Sequence, residues 1–276
     1  MQSTLAYRNG NYLPKHEISI GIDDLGFERG FAVFDYCRER NGKIPFLNDH
    51  LKRLQHSQSI LNFKYPASID TIEKIILHLQ EENHLINSYF KTIISGKVIH
   101  DSIEPVITIY QDNYVAYESA MYENGVSLII SEFAKPFPEY KTTFYLGALR
   151  EFTRMKQNNA EDVLFYYDNI IRECSRCNIF IVKNHLIYTP DKNMLQGVTK
   201  KHVVACAKEK YIVIEKDITV KELFEADEVF ISSTTKNMMP VVRIEDRFIA
   251  DDSPGIITKD LMQMFALYCD NYEAGK

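Results

Sequence analysis

The sequence predicts an α+β fold in two lobes. Three observations carry this. Strand-like and helix-like segments come in mixed clusters, not in strict alternation. A polar stretch without clear period, residues 111–124, interrupts them. The length, 276 residues, is one large domain or two modest ones at roughly 150 residues each.

Taken in order, Leu5 to Asn9 and Asn11 to Leu13 flank Gly10 and predict a hairpin. Phe31 to Arg40 is aromatic-rich and predicts a strand ending at Asn41-Gly42. Asn48 or Asp49 is placed to N-cap a helix carrying Leu51, Leu54 and Leu61 on one face. Ser68 is placed to cap the next, whose Ile69, Ile72, Ile75, Ile76 and Leu79 recur at helical spacing. Tyr89 to Ser95 and Pro105 to Tyr110 are β-branched and predict buried strands.

Beyond the polar stretch, Val126 to Ser131 predicts a strand. Leu146 to Asn158 predicts one helix, with Leu146, Leu149, Phe152 and Met155 spaced by three. Val163 to Tyr167, Ile179 to Lys183 and His185 to Tyr188 predict short strands. Thr199 to Lys210 predicts a helix, then Tyr211 to Glu215 and Glu228 to Ser232 two more strands. A last helix is expected from about Pro254 to Cys269. The lobes are therefore 1–111 and 125–276, joined by a linker at 112–124.

Composition excludes several classes. Apolar residues are 45% and charged residues 25%, ample for a core without disulfides or metal. The formal net charge of −6 argues against a general nucleic-acid binder. No run approaches a membrane span, and the N-terminus lacks a signal-peptide core. Five scattered cysteines fit reduced thiols and a cytoplasmic location. There is no G-x-G-x-x-G, P-loop, H-E-x-x-H or G-x-S-x-G motif. Cys174-x-x-Cys177 has no second pair for zinc; it reads as two small thiols in a loop, with a redox dithiol the alternative. The histidines form no metal-spaced cluster, so no metal is expected.

Five motifs then occur in order. His50-Leu51-Lys52-Arg53-Leu54 is an H-x-x-R-L. The loop Pro136-Phe137-Pro138-Glu139-Tyr140 leads into Lys141-Thr142-Thr143-Phe144-Tyr145. Arg172-Glu173 precedes Cys174-Ser175-Arg176-Cys177-Asn178-Ile179-Phe180. Leu195-Gln196-Gly197-Val198-Thr199 opens a helix, and Ser232-Ser233-Thr234-Thr235 follows a strand, with Pro240 beyond. Each motif alone is common. Together, from about Asn9 to Pro254, the series resembles the class IV (fold-type IV) pyridoxal-phosphate enzymes. That family includes branched-chain and D-amino acid aminotransferases and aminodeoxychorismate lyase.

The resemblance implies a small N-terminal α/β lobe, a larger C-terminal mixed β-barrel-like lobe with helices, and pyridoxal 5′-phosphate in the cleft between them. It implies that Lys141 forms the Schiff base with the cofactor aldehyde and, once freed, moves a proton. Glu173 is implied to face the pyridine nitrogen, which keeps the ring an electron sink. Arg53 is the implied phosphate clamp, since a planar guanidinium suits phosphate oxygens. Val198 and Thr199 would offer helix-start N–H groups, and Ser233 and Thr234 hydroxyl and backbone donors. Leu195 matches an apolar residue packed on the ring but fits a core position equally well. Asn178 is expected to hold its loop rather than touch substrate.

Departures from the family pattern also matter. Phe144 stands where many relatives have Asn, and Tyr145 matches a tyrosine that some branched-chain enzymes aim at the phenolic oxygen. A glycine-rich segment of relatives is Gly30-Phe31-Ala32 here. Phe34 stands at a substrate-facing position. Arg29, Arg38, Lys97 and His100 are spare basic groups available to bind a carboxylate. The implied reaction is transamination between an amino acid and a 2-oxo acid, branched-chain-like or D-amino-acid-like, in a homodimer with no nucleic-acid or membrane partner. The alternatives are an aminodeoxychorismate-lyase-like elimination and a non-catalytic relative that binds pyridoxal phosphate or nothing.

Overall fold

The computed structural model describes residues 4–249 and 251–273. Of the predicted lobes, positions 1–3 of the first and 250 and 274–276 of the second lie outside the described residues. The chain divides into two units, Met1–Val115 with Tyr140–Phe144, and Ala116–Glu139 with Tyr145–Lys276. The segment carrying Lys141 thus belongs to the first unit.

In the first unit, β1 (Leu5–Arg8) and β2 (Asn11–Pro14) form the expected hairpin. Then come α1 (Leu25–Arg29), β3 (Ala32–Arg38), α2 (Leu47–Ser59), α3 (Ile69–Asn83), β4 (Ser88–Ile99) and β5 (Ser102–Asn113). The antiparallel five-stranded sheet runs β2-β1-β5-β4-β3. One face buries Val33, Cys37, Phe90, Ile94 and Ile109 against Leu51 and Leu54 of α2 and Ile72, Ile75, Ile76 and Leu79 of α3. The period-2 strand pattern and the 3.6-residue helix pattern meet there.

Ser68 caps α3 as expected, its hydroxyl accepting from Thr71 N at 3.4 Å. At α2 the cap is different. The boundary residue is Phe46 in the left-handed region (φ 59°), without a side-chain cap, and Asn48 and Asp49 lie inside the helix. Burial of the Phe46 ring decides that boundary rather than local hydrogen bonding. Asp24 caps α1, which no sequence periodicity announced because the helix has only five residues. Residues 111–113 finish β5 by pairing with Ser88–Phe90, so the polar stretch begins as strand.

The second unit continues with α4 (Ser119–Asn124), β6 (Val126–Glu132), α5 (Leu146–Arg150), α6 (Phe152–Gln157), β7 (Asp162–Tyr167) and β8 (Ile170–Cys174). Next are β9 (Asn178–Lys183), β10 (Leu186–Thr189), α7 (Val198–Ala207), β11 (Val213–Glu215), β12 (Ile218–Thr219) and α8 (Val220–Phe224). The chain closes with β13 (Glu228–Ser233), β14 (Asn237–Ile244), β15 (Arg247–Phe248) and α9 (Ile256–Glu273). Their mixed sheet of ten strands runs β11-β10-β9-β13-β14-β6-β7-β8-β12, with β15 on β14, and forms a half-barrel. Leu128, Leu164, Ile171, Ile179, Ile181, Val229, Ile231 and Val241 share its main core.

Three expectations need correction here. The predicted helix 146–158 is two short helices broken at Glu151 (ψ −4°), and Leu146, Leu149 and Phe152 are exposed at 65, 67 and 55%. Their spacing reports an apolar surface, not a core face; Met155 alone of that series packs inward. Of the two thiols expected in a loop, Cys177 lies in the loop between β8 and β9, but Cys174 does not. Cys174 ends β8, both side chains are in the core, and burial pushes the Cys177 thiol up to about 11. Finally, β8 and β14 were not foreseen. Pro240 and Arg172 obscured their patterns, although Pro240 sits within a strand paired on both sides.

Candidate active site

In the first unit, Lys141 is fixed by its backbone. Its N–H donates to Ser57 Oγ at 3.0 Å, and its carbonyl accepts from Phe34 N at 2.9 Å. Thr142 makes a β-bridge with Val33, and Thr143 N donates to the Ala32 carbonyl at 3.1 Å. Tyr140 stacks on His56, with centroids 4.8 Å apart. The segment is therefore an extra piece of edge strand on β3, which explains why a loop-like sequence holds a lysine in one place. Its Nζ lies 4.7 Å from the Phe34 ring centroid.

Arg53 projects from α2 toward Asp35 of β3, with Nε–Oδ2 and Nη2–Oδ1 both 2.8 Å. His50, one helical turn earlier, donates from Nδ1 to Asp35 Oδ1 at 2.8 Å. All three side chains are buried or nearly so. Burial by itself would raise the Asp35 carboxyl, but the Arg53 and His50 charges and hydrogen bonds outweigh it and hold it well below the carboxylate range. Burial lowers His50 against the opposing pull of Asp35.

Phe34 lies on the sheet face opposite the core, and that face carries a residue the sequence reading missed. Lys91 of β4 is half-buried, its Nζ 5.0 Å from the Phe34 centroid. Burial lowers its pKa, and it pairs with no carboxylate among the described residues. The signal was available in period-2 arithmetic: residues 89, 91, 93 and 95 share a face, and 91 is the basic one. Beside it a cavity of about 480 Å³ is lined by Arg8, Asp24, Tyr89, Ile93, Thr108 and Tyr110, among others. Its charges pair among themselves, Arg8 with Asp24 at 3.2 Å and Lys15 with Asp112.

The other spare basic groups lie elsewhere in this unit. Arg29 is exposed and pairs with Glu28 at 2.8 Å. Lys97 pairs with Asp23 at 2.8 Å, and His100 sits exposed in the β4–β5 turn. Arg38, at the far end of β3, lies over the Tyr114 ring at 3.6 Å.

In the second unit, Glu173 is buried near the end of β8. Lys135 Nζ stands 3.0 Å from its Oε1, and Leu195 N donates to its Oε2 at 3.2 Å. Asn178 opens β9 and donates from Nδ2 to the Leu195 carbonyl at 2.8 Å, so it holds the 195–197 segment as expected. A Cβ at Gly197 would overlap Asn178 Oδ1, which accounts for glycine there. Gly197 is the helix boundary without a side-chain cap, and the first intrahelical bond is Lys201 N to its carbonyl. The N–H groups of Val198, Thr199 and Lys200 thus take no partner within the helix.

The β9–β13 register places Ser232 opposite Asn178, which brings the hydroxyl run beside the same loop. Ser233 Oγ accepts from Lys236 N at 3.2 Å and lies 3.2 Å from Thr235 Oγ1. Thr234 is half-buried at the tip of that turn. Burial, and then the nearby Glu173 carboxylate, push Tyr145 up to about 12, so it remains a protonated phenol at neutral pH. The second unit therefore collects Glu173, Leu195, Val198, Thr199 and the 233–235 turn around Asn178, and the first collects Lys141, Arg53, Phe34 and Lys91. Among the described residues no group of His, Cys, Asp and Glu could hold a metal ion.

A family model described as amino-transferase class IV matches residues 32–244. The chain belongs to the class IV aminotransferases. The D-alanine aminotransferase of Listeria monocytogenes is 28% identical over 269 residues, covering 93% of each chain. A putative branched-chain-amino-acid aminotransferase of Methanocaldococcus jannaschii is also 28% identical, over 274 residues and 94% of each. The Escherichia coli branched-chain amino acid aminotransferase structure superposes with a TM-score of 0.90 at 22% identity, covering 97% of this chain and 95% of that one. The T.th. branched-chain amino acid aminotransferase with pyridoxamine 5′-phosphate gives 0.88 at 21%, over 100% and 96%. At those identities the superpositions establish the fold, the α+β fold-type IV architecture that the motif series implies. The class IV aminotransferase is a pyridoxal-phosphate-dependent transaminase, and the expectation of transamination stands on the family match.

Proposed function

We propose that this transaminase binds pyridoxal 5′-phosphate through Arg53, Val198, Thr199, Ser233 and Thr234 at the phosphate, with Glu173 at the ring nitrogen, Tyr145 at the phenolic oxygen and Leu195 against the ring. The donor set fits the group. A planar guanidinium, uncapped helix N–H groups and a hydroxyl turn suit a phosphate, and a buried carboxylate suits a cationic ring nitrogen. When bound, the cofactor supplies an electrophilic carbon and an electron sink for charge developing at the substrate Cα.

The chain's own residues do the rest. Lys141 Nζ, freed as an amine, accepts the Cα proton and later returns one. The observation that carries this assignment is the anchoring of Lys141 by both backbone atoms, to Ser57 and Phe34, which holds the lysine beside the Phe34 ring. Tyr145 stays a phenol and so serves as a donor. Lys91 holds the substrate carboxylate, since it is a half-buried cation without an acidic partner among the described residues. The internally paired charges of the neighbouring cavity favour an uncharged side chain. That agrees with the alanine and branched-chain substrates in the relatives' names.

We also propose a homodimer in the cytoplasm. The exposed apolar stripe Leu146, Leu149 and Phe152 supports the first, and five buried cysteines, none of them in a disulfide, support the second. No helix among the described residues is long and apolar enough to cross a membrane.

The test is spectroscopic and then kinetic. Purified protein with excess cofactor is expected to gain a near-visible band, which an amino acid then shifts. A panel of 2-oxo acids with both enantiomers of neutral amino acids is expected to show amino-group transfer. No band, or release of an elimination product without transfer, would overturn the assignment.

A further inference from the structure

Lys236 is fully buried in the turn between β13 and β14, yet no cofactor role above uses it. Its Nζ is 3.1 Å from Glu161 Oε1, donates to Tyr117 Oη at 2.9 Å, and lies 4.6 Å above the Tyr117 ring centroid. Its backbone N–H closes the Ser233 turn. The turn is thus pinned twice, through its own backbone and through the lysine's ammonium.

The other end of the pin is informative. Glu161 precedes Asp162, the buried first residue of β7. Asp162 Oδ1 accepts from Val163 N at 2.8 Å, Ser175 N at 3.2 Å and Ser175 Oγ at 2.5 Å. Ser175 lies two residues beyond Glu173. Adjacent acids therefore reach two different loops: Asp162 holds the one after Glu173, and Glu161 holds the hydroxyl turn through Lys236. Arg176, in the first of these loops, also stands 4.0 Å from Glu161 Oε1.

Stability does not explain the arrangement. A buried ion pair repays its desolvation poorly, and an apolar side chain of the same length would often serve the fold as well. A buried charge pair does specify one geometry, because the ammonium has few other partners. We propose that Lys236 is a positioning residue for the cofactor phosphate, setting Ser233–Thr235 in register with the Glu173 loop through Glu161. This rests on the reading that Ser233 and Thr234 meet the phosphate.

The experiment compares pyridoxal phosphate with pyridoxal, which lacks the phosphate, on the full-length chain. Wild type is expected to prefer the phosphorylated form; no preference would overturn the phosphate-site reading and this proposal with it. Lys236→Met keeps the side-chain length and removes the charge. Its dissociation constant for pyridoxal phosphate is expected to rise about tenfold, the scale of one lost charge-assisted contact, with that for pyridoxal unchanged. A preference equal to wild type, or an equal loss for both ligands, overturns the proposal alone. Glu161→Gln removes the other partner and is expected to give the same split. It decides the matter in the same terms if Lys236→Met does not fold.

Discussion

Asp35 and Arg53 meet through two parallel hydrogen bonds, each 2.8 Å, inside the first unit. The guanidinium is thereby aimed before any ligand arrives, and the pair carries little net charge. Arg53→Ala is expected to do two things at once. It removes the proposed phosphate partner, and it strands a buried carboxylate, at a cost to folding of about 3–5 kcal/mol. Denaturant unfolding and a cofactor titration, run on the same preparation, separate the two. Arg53→Lys keeps a charge but not the fork, and is expected to retain more stability than cofactor affinity. Unchanged cofactor affinity in both variants would remove Arg53 from the site.

The same cluster predicts acid sensitivity. His50 titrates below the free histidine value of about 6.5 because it is buried. The unfolded chain therefore takes up that proton first, and stability is complete above about pH 6.5 and falls as the pH drops. Asp35, held low, adds a contribution present above about pH 4 that is lost as the pH falls toward its folded value. Melting temperature from pH 8 to 4 is expected to decline in wild type. The decline between pH 7 and 5 should be shallower in His50→Gln; an identical slope would mean that another group sets it.

Lys141→Ala is expected to abolish amino transfer while leaving the fold intact. Its bonds to Ser57 and Phe34 run through its backbone, which alanine keeps. The check is borohydride reduction: wild type should retain cofactor covalently and the variant should not. Retention by the variant would move the assignment to another lysine.

Lys91→Met should raise KM for the amino acid by about 10- to 100-fold, the range for losing one buried charged hydrogen-bond partner. Cofactor affinity should hold, since Lys91 is assigned to the substrate only. A variant with unaltered KM would show that the carboxylate is bound elsewhere.

Much of this molecule was legible in the sequence. The isoleucines of 69–79 and the serine before them announced α3 and its cap, because local pattern and burial agree there. The five motifs single out Lys141, Arg53, Glu173, the α7 start and the hydroxyl turn as candidates, because each is a short contiguous piece of chain. What was hidden depends on partners far along the chain. Phe46 bounds α2 because of where its ring is buried. Leu146, Leu149 and Phe152 have helical spacing but face outward, and spacing carries no information about which face a neighbour covers. Lys91 looked like any strand lysine until β3 and β4 paired and set it beside Phe34. Lys236 was invisible for the same reason, since Glu161 and Tyr117 are distant in sequence.

Asn178 and Gly197 have a practical consequence for anyone diversifying this enzyme. The amide of the one occupies the volume that a side chain on the other would need. Randomising either position singly would mostly return broken proteins. A library that varies both together, or that transplants 173–199 whole from a relative, samples sequences in which the acid and the helix start still belong to each other.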